Sequence, residues 1–248
     1  SSFVRSAILA GALVCVFVGL AIAQDDVPPE ARAEYDRAEI AREEGRFKEA
    51  AELYRKAIDA HPTYVAAHAG YLAALRGQGD LYPAAEFYAR LVSAHPDSVV
   101  LKAFQAAALP EPENSVEALS ELSKAHSDNV RIFVELGRAL LDSGDAKHAE
   151  SALKSALRLD EESLTARVLM GDVYAANGKF TRARKEYATA LEIDSAYVPA
   201  HLRIALAWHR GGKTDEALKQ LNTLLGPDNL PRLVAGHWLV ASILAETG

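Results

Sequence analysis

The stretch GRFKEAAELYRKAIDAHP (residues 45–62) returns as GDLYPAAEFYARLVSAHP (79–96) and again as GKFTRARKEYATALEIDS (178–195). In each copy a glycine is followed five residues later by Ala50, Ala84 or Ala183, and four further on by Tyr54, Tyr88 or Tyr187. Tyr54 and Tyr88 lie 34 residues apart, and so do Pro62 and Pro96. A fixed period of this size is one supersecondary unit copied along the chain.

Working outward, the period collects Gly45, Gly79, Gly144, Gly178 and Gly212. Three of the four intervals are 34 residues; the interval from Gly79 to Gly144 is 65, three short of two units. A shortened third unit therefore lies between them, with Ala118 expected where the others carry Ala50, Ala84, Ala149, Ala183 and Ala217. Each unit reads as two helices. Before each glycine, apolar and small residues recur at helical spacing: Leu136, Gly137 and Leu140, then Met170, Gly171 and Tyr174. A small residue there lets a second backbone approach. The glycine supplies the dihedrals of a tight turn. The second helix then carries Ala149, Leu153 and Ala156, or Ala183, Tyr187 and Ala190, as one stripe that packs back on the first. Pro62, Pro96, Asp160 and Asp194 mark the boundary with the next unit.

These residues resemble the tetratricopeptide repeat family, in which a small residue and an aromatic in the first helix precede Ala, an aromatic and Pro through the second. Met170, Gly171, Tyr174, Ala183, Tyr187 and Ala190 follow that pattern, as do Tyr71, Leu75, Ala84, Tyr88 and Pro96. The resemblance spans about residues 31–248, with six repeats at 31–64, 65–98, 99–129, 130–163, 164–197 and 198–231. It implies an all-α fold, a right-handed α-solenoid of antiparallel helix pairs. The third repeat departs most: ALPEPEN (108–114) replaces its glycine turn, and Pro110 and Pro112 are expected to forbid a regular helix there.

Apolar residues are 50% of the chain and charged ones 25%, as in a soluble helical protein. The net charge of −7 argues against a nucleic-acid partner, which needs a basic face. Residues 7–23 are uncharged and follow Arg5; Ala21 and Ala23 flank Ile22 in a small-x-small cleavage pattern. Segment 1–23 reads as a secretory signal peptide or a membrane anchor, and membrane contact is expected only through residues 7–23, if the segment is uncleaved. Residues 24–30 read as a linker. The expected location is exported, periplasmic or extracellular. Cys15 is the only cysteine, and Val14 precedes it where a lipid-attachment signal needs a small residue. A chain cleaved after Ala23 would hold no disulfide and no thiol site.

No catalytic string and no cofactor motif is present. His61, His95 and His126 recur at the ends of second helices. Equivalent positions in neighbouring repeats are roughly 10 Å apart, whereas a metal needs ligands at about 2 Å from one point, so no metal site is expected. GGKT (211–214) lacks the upstream glycine of a phosphate loop and falls on a repeat turn. The carboxylates at 25–26, 43–44 and 160–162 sit in turns and linkers, where solvation leaves them ordinary. Trp208 and Trp238 are at core-like spacing in first helices.

In the tetratricopeptide family, first helices line a concave groove that takes extended peptides or partner helices. Carried onto this sequence by the period, the groove rows contain Tyr35, Ala69, Ala103, Val134, Val168 and Leu202, and, four residues on, Ala73, Arg138, Asp172 and Leu206. Arg131, Glu135 and Arg138, at i, i+4 and i+7, form the main polar cluster on that face. Family members that hold a peptide's terminal carboxylate use Lys and Asn where Ala69 and Ala73 stand, so that mode is not expected here. The repeat array, the lack of a catalytic string and the export signal together point to a non-catalytic interaction scaffold of the bacterial cell envelope, and the resemblance implies that it binds a protein or peptide partner in its groove. The alternatives are the repeat region of a larger exported enzyme and an envelope assembly lipoprotein acylated at Cys15. Residues 232–248 read as a seventh first helix or a capping helix. Its apolar character and its end on a turn position, Gly248, suggest that more chain follows.

Overall fold

The computed structural model describes residues 27–226 and 234–247. The expected signal segment 1–23, Gly248 and the connection 227–233 lie outside the described residues. Among the described residues the chain forms thirteen α-helices and no strands. They run α1 (Pro29–Glu43), α2 (Phe47–Ala60), α3 (Val65–Gln78), α4 (Tyr82–Ala94), α5 (Val99–Ala107), α6 (Pro112–Ala125), α7 (Val130–Asp142), α8 (Ala146–Leu159), α9 (Leu164–Ala176), α10 (Phe180–Ile193), α11 (Val198–Arg210), α12 (Thr214–Leu224) and α13 (Val234–Thr247). Successive helices pair from α1 with α2 to α11 with α12. Buried side chains form three clusters in succession along the stack, as expected where each unit packs on its neighbours.

The turns show why the glycines are periodic. Gly45, Gly79, Gly144, Gly178 and Gly212 have φ between 70° and 84°, and they are the positive-φ glycines of the described chain. A side chain would be strained at each of them. The seats of the second helices are set by size. Tyr54, Tyr88 and Tyr187 are buried, and a Cβ on Gly171 would lie 2.2 Å from Cε1 of Tyr187. A Cβ on Gly137 would lie 2.6 Å from the Leu153 side chain. The small residue in the first helix is thus what admits the large one in the second.

One further contact repeats along the stack. Nε2 of His68 lies 2.9 Å from the carbonyl of Pro62, Nη2 of Arg167 donates to the carbonyl of Glu161 at 3.3 Å, and Nε2 of His201 lies 2.8 Å from the carbonyl of Ser195. Each residue stands early in a first helix and holds the turn six residues before it. Ser98, Asn129 and Asp145 cap α5, α7 and α8 through their side-chain oxygens, accepting from Leu101, Ile132 and His148.

Three expectations are corrected. Pro112 does not break a helix; it opens α6, because the first turn has no internal partner for the missing N–H. Pro29 does the same for α1, so the last two residues of the expected linker 24–30 belong to that helix. The third correction concerns Ala118, which is only half-buried, while Ser115 and Leu119 occupy the buried seats of the periodic Ala and Tyr. The missing three residues are therefore lost before α6, not within it. They come from α5 and its turn: α5 has nine residues, whereas α3 has 14 and α7 has 13.

Candidate partner-binding face

First helices touch first helices: α1 meets α3, α3 meets α5, and so on through α13, while second helices do not approach one another as closely. That places the first helices on the inner, concave side of the curved stack. The residues expected to line it divide into two groups. Ala103, Val134 and Val168 are buried in the core clusters, so they are not groove wall. Their row is the seam where neighbouring first helices close on each other. Tyr35 and Ala69, in the same row, are half-buried against the first cluster, and Leu202 against the last. Ring centroids place Tyr35 5.8 Å from Tyr54 and 5.0 Å from Tyr64.

The companion row reaches the surface, and the second-helix tyrosines explain its chemistry. The hydroxyl of Tyr187 donates to Asp172 at 2.8 Å, and Arg203 Nε donates to the same carboxylate at 2.7 Å. Four repeats back, by three steps of 34 residues and one of 31, the same position is Glu39, which accepts from the Tyr54 hydroxyl and pairs with Arg42. In the second repeat that row carries Ala73, which is exposed and has no acceptor. Tyr88 turns instead to His68, whose Nδ1 lies 3.2 Å from its hydroxyl. With Nε2–H donating to Pro62, Nδ1 is the acceptor, which is the neutral tautomer. Burial lowers the His68 pKa to about 4. Asp172 is therefore committed to its own fold, whereas Ala73 is open. Leu206 is half-buried.

Between these lies a charged cluster. Glu135 is 3% exposed; Arg131 Nη1 donates to its Oε1 at 3.1 Å, and Arg138 Nε stands 3.5 Å from its Oε2. Burial alone would raise the Glu135 pKa, but Arg138, Arg131 and Arg76 outweigh it and hold the carboxyl below its usual range. Arg131 also lies over the Phe104 ring, 5.2 Å from its centroid, and His68 stacks with the same ring at 4.9 Å. Arg76 completes the group. Its Nη2 donates to the carbonyl of Ala107 at 3.2 Å, and burial followed by the nearby Arg138 lowers its pKa. Spacing along one helix does not reveal Arg76. The signal for it was the three-residue deficit, which shortens α5 and lets a residue of the second repeat meet residues of the fourth.

The histidines of the period, His61, His95 and His126, each follow the last residue of a second helix. Among the described residues no group of three or more His, Cys, Asp or Glu is placed to hold a metal ion. Trp208 packs under Arg184, whose guanidinium carbon is 3.6 Å from the ring centroid. Trp238 does not pack as its spacing suggests: it is 69% exposed on α13. No helix of the described residues is long and apolar enough to cross a membrane.

A profile described as tetratricopeptide repeat matches residues 106–163, 134–198 and 168–231, just over half of the chain, and a second so described matches 41–108. The chain belongs to the tetratricopeptide repeat family. Its fold agrees with that assignment. A tetratricopeptide repeat protein from Parabacteroides merdae superposes with a TM-score of 0.56 at 16% identity, over 89% of this chain and 88% of that one. A thermophilic tetratricopeptide protein of Thermus thermophilus gives 0.51 at 20% identity, over 71% and 98%. The Cut9–Hcn1 hetero-tetramer of the APC/C gives 0.55 at 17%, over 89% of this chain and 44% of that one. No curated protein matches the sequence. At these identities the likeness concerns the fold, the right-handed tetratricopeptide solenoid. Tetratricopeptide proteins generally bind proteins or peptides and are generally not catalysts.

Proposed function

We propose that this tetratricopeptide protein is a non-catalytic scaffold that holds a peptide or partner helix along its concave face. The observation that carries this reading is the open strip on α3. Ala69 is half-buried and Ala73 exposed, and Arg76 follows at the same face. Small apolar residues followed by a cation suit an apolar segment with polar ends. The uncharged run 7–23, ending in its small-x-small pattern, supports an exported scaffold of the cell envelope. Ala69→Glu with Ala73→Glu tests the groove, because it adds two carboxylates at an exposed position and at a half-buried one on the edge of the first cluster, neither of them a fully buried core residue. Capture of partners from an envelope extract by wild type and not by the double variant is the expected result; equal capture removes the groove from the account. Mass spectrometry of the mature chain tests export, with Gln24 as the expected first residue.

A further inference from the structure

The short first helix of the third repeat leaves a gap in the concave wall. α5 stops at Ala107, while α3 beside it continues to Gln78 and α7 to Asp142. Beside it, Arg76 from α3 and Glu135, Arg138 and Asp142 from α7 are electrostatic neighbours, and Arg131 joins them through Glu135. Three guanidinium groups thus face two carboxylates. Glu135 is engaged by Arg131 and Arg138, and Arg76 uses one Nη on the Ala107 carbonyl. Arg138 is the least satisfied member. Its Nε is buried without a hydrogen-bond partner, and its ion pair with Glu135, at 3.5 Å, is the one polar contact of its guanidinium among the described residues. The side chain is nonetheless 26% exposed, so its remaining donors are within reach of a ligand.

We propose that this gap is an anion subsite of the concave face, taking the carboxylate of an Asp or Glu side chain on the bound protein segment, with Arg138 as principal donor and Arg76 as second cation. The proposal rests on the groove reading and adds the partner's chemistry to it. A guanidinium presents parallel N–H donors that match the two oxygens of a carboxylate. The partial burial of the cluster weakens solvent screening and strengthens that contact. Position follows from α3: Ala69, Ala73 and Arg76 are at i, i+4 and i+7, so a segment lying on the two alanines meets the cations next. This differs from a terminal-carboxylate clamp, whose Lys and Asn positions are Ala69 and Ala73 here.

The test selects binders to the full chain from a library of random linear peptides. Peptides selected on wild type are expected to carry Asp or Glu at one fixed place beside apolar residues. On Arg138→Gln that acidic preference disappears, and on Arg138→Lys it persists. For one selected peptide, replacing its acidic residue with the amide should weaken binding to wild type on the order of tenfold, and its binding should lose most of its salt dependence. This last comparison needs no variant, so it stands even if Arg138→Gln does not fold. Selected peptides without an acidic preference overturn the subsite alone, as does a preference that survives Arg138→Gln. A library that yields no binder overturns the groove reading and the subsite with it.

Discussion

Arg76 and Ala107 belong to different repeats, and the 3.2 Å hydrogen bond from the arginine Nη2 to the alanine carbonyl closes the open end of α5. That carbonyl lies in the last turn of a nine-residue helix, where no residue further along the helix can serve it. The deficit of the third repeat is thus repaired by a side chain of the second.

Arg76→Met should therefore destabilise the array, because it leaves a carbonyl unpaired and takes a cation from beside Glu135 and Asp142. The expected loss is about 1–3 kcal/mol, read as a lower urea midpoint. A midpoint equal to wild type would mean that water serves Ala107 as well as Arg76 does.

Two glycine substitutions should separate close packing from turn geometry. Gly171→Ala drives a Cβ into Tyr187 and should cost about 1–3 kcal/mol. Gly178→Ala meets nothing within 4 Å but keeps φ at 70°, so its cost is conformational alone, about 1 kcal/mol. Adding Tyr187→Leu should offset part of the Gly171→Ala loss and none of the Gly178→Ala loss, as judged by thermal melts.

Tyr187→Phe removes a donor from Asp172 but leaves Arg203 on the carboxylate, so about 0.5–1.5 kcal/mol should be lost. Tyr88→Phe instead leaves the buried Nδ1 of His68 without a partner, and it should cost more. Denaturant titration of both variants gives the order directly; the reverse order would contradict the pairing.

His68 makes stability depend on pH. Its folded pKa is lowered to about 4 by burial, so in mild acid the unfolded chain takes up the proton first, near the ordinary value of about 6.5. Stability from the neutral ring is complete above that value and is lost as pH falls from about 6.5 through 4, by about 3 kcal/mol in all. His68→Phe should flatten the wild-type slope across this window. Parallel slopes for the two proteins would show that carboxylates alone set the acid response.

The two tryptophans should report opposite surroundings. With Trp208→Phe, emission from Trp238 is expected at long wavelength and open to acrylamide, since that ring is 69% exposed on α13. With Trp238→Phe, the remaining Trp208 lies under Arg184 and should emit at shorter wavelength with weaker quenching. Equal quenching of both variants would mean that α13 is covered in solution.

The sequence by itself determined the repeat, because each periodic residue answers a local demand. A turn glycine must have positive φ at Gly45 or Gly178 whatever surrounds it, and Gly171 must be small because Tyr187 follows sixteen residues later at a fixed helical offset. Demands of that kind are written in spacing. The candidate face was legible only in part. Arg131, Glu135 and Arg138 share one helix and were visible as a set. Ala103, Val134 and Val168 looked like groove wall, but how tightly first helices close on one another is set by the packing of whole repeats. Tertiary structure alone decided that Asp172 is taken by Tyr187 and Arg203, that Ser115 rather than Ala118 fills the alanine seat, and that Arg76 joins the cluster. The last two depend on where three missing residues are absorbed. The chain absorbs them in α5 and its turn, since shortening one helix end leaves every buried seat of α6 filled, whereas a deletion inside α6 would rotate its apolar stripe off the core.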